Sequence, residues 1–68
     1  MTASVGDKVK LIHMPNDPNP VTRGSLGVIT HISEAYPDED VPLTYVVRWE
    51  NGRTHNILVG IDEFELLN

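Results

Sequence analysis

Cysteine is absent from the 68 residues. That excludes a disulfide staple, and no Cys/His pattern with zinc spacing stands in for one. A chain this short buries only about 60% of the surface that its unfolded form exposes. Its stability must therefore come from tight packing or from self-association. Basic residues are also few: Lys and Arg number 5 against 10 Asp and Glu, for a formal charge of -5. Such a field repels phosphate backbones, and Lys8, Lys10, Arg23, Arg48 and Arg53 are scattered along the chain, so nucleic acid is not the expected partner. No apolar run approaches the ~20 residues of a membrane span, and the N-terminus lacks a charged region followed by an apolar one. The expectation is one cytoplasmic domain, residues 1–68, with no membrane contact; the lack of cysteine is in keeping with a reducing compartment.

What is present is β-strand pattern punctuated by turn formers. Val9, Leu11 and His13 alternate with Lys8, Lys10 and Ile12, which predicts a strand over 8–13 with one buried face. The segment MPNDPNPVTRG carries Pro15, Pro18 and Pro20 and reads as a loop ordered by its prolines. Residues 24–33 form the second expected strand, with Gly24 and Gly27 allowing a bend or bulge. EAYPDEDVP then interrupts with two prolines and four acidic residues, a well-solvated composition and the stretch expected to move most. LTYVVRWE has the β-branched and aromatic side chains of a third strand. Asn51-Gly52 predicts a two-residue type I′ hairpin into a fourth strand, Arg53 to about Val59. IDEF reads as one tight helical turn before a last strand, Glu65 to Leu67.

Five short strands in so small a chain predict an all-β fold, a partly open antiparallel barrel with one short 3-10 turn before the last strand. Strand parity places Val9, Leu11, Val28, Ile32, Val47, Trp49, Ile57 and Phe64 inside.

No reactive constellation stands out. His13, His31 and His55 fall on three strands, but parity turns His31 away from the other two, against a shared metal. His55 is read as a buried or rim histidine with a satisfied hydrogen bond. Asn16, Asp17 and the triplet Asp38 to Asp40 offer oxygens, but the prolines leave no calcium-loop spacing. Ser25 and Thr30 have no evident base to activate them, and Asp62 is better explained as a cap than as half of an acid–base pair. The expectation is a non-enzyme with no catalytic residue, metal or cofactor.

GDKVKLIHMPNDPNPVTRGSLGVITHI followed by VVRWENGRTHNILVGIDEFELL resembles the family called domain of unknown function 4314, of bacteria and phages, over nearly the whole chain. That family is similar in pattern to SH3-like barrels, which include a small photosystem subunit and the KOW domains of transcription elongation. The resemblance implies an SH3-like barrel and no assigned activity. Two departures stand out: Glu34 to Pro42 is longer than the usual link, and His55 stands where the family has an aliphatic residue. SH3-like barrels commonly bind partners between the first long loop and the loop joining strands two and three. Here that place would gather Met14, Tyr36 and Tyr45 beside Asp38, Glu39 and Asp40, an aromatic and flexible patch with an acidic border suited to a basic peptide. Trp49 is read as core. The expected function is a non-enzymatic interaction module that binds a protein partner or itself, as a homodimer, through its loops. The alternative is a KOW-like nucleic-acid-associated domain or an acidic mimic of nucleic acid.

Overall fold

A computed structural model describes residues 3–67; Met1, Thr2 and Asn68, which the expected domain 1–68 includes, lie outside them. The elements are β1 (Lys8–His13), β2 (Leu26–Ser33), a 3-10 turn (Pro37–Glu39), β3 (Thr44–Trp49), β4 (Thr54–Leu58) and β5 (Glu63–Leu66). All five strands join one antiparallel sheet in the order β4-β3-β2-β1-β5. The sheet does not close, so β4 and β5 are its edges. The 3-10 turn lies in the acidic stretch, not before the last strand as expected. At that expected place the chain makes a tight turn instead. Ile61 and Asp62 N–H both donate to Leu58 O, at 3.1 and 2.9 Å, and the Asp62 carboxylate accepts from Leu58 N–H at 2.8 Å. A carboxylate reaching back four residues thus caps a turn.

The core is lined by Val9, Leu11, Ile29, Val47, Trp49 and Ile57, each at most 1% exposed, with Tyr45, Met14 and Val21 beside them. Ile32 and Phe64 pack against it, Phe64 edge-on to Tyr45 with ring centroids 5.7 Å apart. Two bulges decide which residues belong to this face. Ile29 pairs with Val47 but His31 with Val46, so Thr30 is an extra residue on β2. An inserted residue reverses the alternation. Ile29 before the bulge and Ile32 after it therefore both point inward, while Val28, expected inside, is 39% exposed. A second bulge on β1 sets Leu11 opposite Phe64 and His13 opposite Glu63. His13, expected to face inward, is consequently exposed and the next residue, Met14, is buried.

The β3–β4 hairpin is one residue longer than the expected two-residue turn. Gly52 N–H donates to Trp49 O and Trp49 N–H to Arg53 O, both at 2.9 Å, closing a three-residue loop, Glu50 to Gly52. Only Gly52 of the pair Asn51-Gly52 has positive φ, at 84°. Asn51 instead accepts the Arg53 N–H through Oδ1 at 2.9 Å. The hydrophobic pattern explains the choice. A two-residue loop would set Ile57 beside Val46 on the outer face, whereas the longer loop sets it opposite Tyr45, where it is fully buried.

Gly27 has a different task. A Cβ there would lie 2.5 Å from Val47 Cγ1 and 2.8 Å from Trp49 Cε3, so glycine lets the β3 side chains pack directly over the β2 backbone.

Candidate functional site

The acidic stretch between β2 and β3 is closed upon itself. Tyr36 N–H donates to Val41 O at 2.8 Å and Val41 N–H to Tyr36 O at 3.1 Å, a bridge that ties off the 3-10 turn. Asp40 takes the left-handed φ of 54° that lets the chain return, a conformation that Asp tolerates better than most residues. The result is a loop with Tyr36 55% and Val41 37% exposed at its base. Asp38, Glu39 and Asp40 are exposed at its tip. Three carboxylates and an aromatic ring therefore share one short, hydrogen-bonded excursion.

Of the residues expected to form one patch, the structure brings together Tyr36, Asp38, Glu39 and Asp40. Met14 and Tyr45 do not join them. They are 4% and 7% exposed and belong to the core, Met14 because of the β1 bulge and Tyr45 because it shares a face with Val47 and Ile57. Val41, which pattern reading left out, takes their place as the apolar companion of Tyr36; its position across the Tyr36 bridge is the feature that brings it in.

The proline-rich loop is held down twice. Met14 and Val21 anchor it in the core from below. Arg53, just before β4, donates from Nη2 to Asn19 O at 2.6 Å, and the ring of His55 on β4 bonds the Asp17 carboxylate. Arg53 Nη2 also lies 3.3 Å from His55 Nδ1. A guanidinium can only donate, which makes Nδ1 an acceptor and leaves the ring proton on Nε2, facing Asp17. The Asn19 backbone N–H, at 2.9 Å, and then the His55 ring hold the Asp17 carboxyl below the usual carboxylate value, more than burial raises it. Along this side runs a cleft of about 390 Å³ between Asp17, His55, Asn56 and Asp62. Each ring nitrogen of His55 is thus engaged in fastening the loop. Among the described residues no group of three His, Cys, Asp or Glu is placed to hold a metal. None of their helices is long and apolar enough to cross a membrane.

The outer face of β1, β2 and β3 carries a second groove, of about 620 Å³. Leu26, Val28 and Leu67 are 44, 39 and 42% exposed there. Lys8 and Arg48 are the cross-strand neighbours of Val28 on either side. Comparison with protein families, curated proteins and solved structures finds no match.

Proposed function

We propose that the chain is a non-enzymatic interaction module, an SH3-like, partly open barrel that binds a protein partner or itself through the loop Tyr36 to Val41. The observation that carries this is the pairing of exposed Tyr36 and Val41 at the base of an acidic tip. Tyrosine, with an apolar ring and a polar tip, is enriched at interfaces, and here it stands beside three carboxylates that would attract a basic partner. The strand pattern and the resemblance to the domain of unknown function 4314 family support the barrel and a bacterial or phage setting. The cysteine-free composition supports a cytoplasmic one. Tyr36→Ala combined with Asp38→Asn, Glu39→Gln and Asp40→Asn is expected to abolish capture of the proteins that the unaltered chain retains. Unchanged capture would overturn the loop as the binding element.

A second reading, nucleic-acid association as in KOW domains, is favoured by Lys8 and Arg48 flanking Val28 in one row. It lacks Arg53, which is engaged with Asn19 and His55. A salt-dependent mobility shift with DNA or RNA would support it, and no shift at low salt would end it.

A further inference from the structure

We infer that the outer groove of β1, β2 and β3 is the docking site for the acidic loop of a second copy of this chain. The inference rests on the reading of the Tyr36–Val41 loop as a docking element and supplies its receptor. The solvent face of an antiparallel sheet is ordinarily polar. Here Leu26 and Val28, next to Leu67, break that rule side by side, forming an apolar floor that no described element covers. Lys8 and Arg48 rim the floor, with Glu50 at its hairpin end.

Charge and placement both point to the occupant. A floor of three aliphatic side chains between two cations takes an apolar or aromatic segment carrying carboxylates. Tyr36 and Val41 with Asp38, Glu39 and Asp40 have that composition, and this loop is the part of the chain where exposed aromatic and acidic side chains coincide. The loop and the groove also occupy opposite ends of one ladder. The β2–β3 pairing runs from Gly27 opposite Trp49, at the groove, to Ser33 opposite Thr44, where the loop begins. A two-fold axis crossing that ladder midway, near Thr30 and Val46, brings the loop end of each copy over the groove end of the other. The contact is then made twice and closes, as an isologous dimer requires.

Sedimentation equilibrium on the full chain, up to about 1 mM, tests this with charge reversals at exposed positions. The unaltered chain is expected to dimerise, more weakly as salt is raised. Arg48→Glu alone, and Asp38→Lys with Glu39→Lys alone, should each weaken association at least about tenfold, since each sets like charges against one another. Mixing the two variants should restore the dimer, because both contacts of the mixed pair regain opposite charges. A monomeric unaltered chain at every concentration would overturn the inference while leaving the loop reading to its own capture test. A dimer indifferent to both variants would overturn it by placing the contact elsewhere. A dimer broken by Arg48→Glu but not by the loop reversal would overturn the loop as occupant, and no rescue on mixing would overturn the pairing of loop with groove.

Discussion

His55 on β4 bonds through Nε2 to the carboxylate of Asp17, 38 residues earlier in the chain. This contact fastens the proline-rich loop to the sheet edge and gives His55 a structural task. The Arg53 guanidinium at Nδ1 fixes the tautomer. Nitrogen NMR of the neutral ring should show the proton on Nε2 and a bare Nδ1. A ring carrying its single proton on Nδ1 would mean that Arg53 does not make this contact in solution.

The same clasp predicts an acid dependence. The Asp17 carboxyl is held below its ordinary value of 3.8, first by the Asn19 N–H and then by His55. The unfolded chain therefore takes up the proton at a higher pH than the folded one. The stabilisation is fully present above the ordinary value and is lost as pH falls through the lowered one. Asp17→Asn keeps an acceptor for the Asn19 N–H but has no charge to titrate. Urea midpoints measured from about pH 5 to about pH 2 should converge for the two proteins as the acid end is approached. Parallel curves would show that Asp17 gains nothing from its partners.

The strands were legible because alternation and turn formers are local signals: β1 matches the expected span, Lys8–His13, and the others differ at their ends. Which face a residue occupies was less legible. A bulge leaves no mark of its own in the residues, and one at Thr30 turned Val28 outward while one on β1 did the same to His13. The hairpin departs from its local signal for a related reason. Asn51-Gly52 satisfies the local preference for a two-residue turn, but the burial of Ile57 demands the longer loop, and core packing outweighs a turn preference. At the candidate site, Tyr36 and the acidic triplet could be read because nothing near them in sequence offers a core. Met14 and Tyr45 could not, since their burial depends on a bulge and on cross-strand neighbours. The clasp of Asp17, Arg53 and His55 joins residues that only the fold brings together.

Two glycines should fail for different reasons when replaced by alanine. At Gly27 the new methyl meets Val47, Trp49 and, at 3.1 Å, the Arg48 carbonyl. Overpacking of this kind costs about 1–3 kcal/mol. A chain of this size has on the order of 7 kcal/mol in total, so a large share of its stability would go. At Gly52 no atom lies within 4 Å of the added Cβ, and the cost is the positive φ alone, about 1–2 kcal/mol. Asparagine tolerates that φ. Gly52→Asn should therefore recover part of the loss by thermal or chemical unfolding, whereas Gly27→Asn should be worse than Gly27→Ala. The opposite ranking at either site would contradict the stated cause.

Val28 and Ile29 are adjacent β-branched residues that composition cannot tell apart; alternation sets them on opposite faces, and the bulge after Ile29 makes Ile29, not Val28, the one that shares the inner face with Ile32. Ile29 is fully buried against Val47, while Val28 lies between Lys8 and Arg48 on the outer face. Ile29→Ala should cost about 2–5 kcal/mol through lost burial and the cavity it leaves. Val28→Thr keeps the branched shape and the strand preference and places its hydroxyl in water, so its effect should stay within about 0.5 kcal/mol. Equilibrium unfolding of the two variants at concentrations where the chain is monomeric separates the cases, because a groove occupied by a second copy would add a cost for Val28→Thr only when the dimer is populated. If Val28→Thr proved the more damaging change in the monomer, the extra residue at Thr30 would have to be absent from the folded chain, and the outer groove with it.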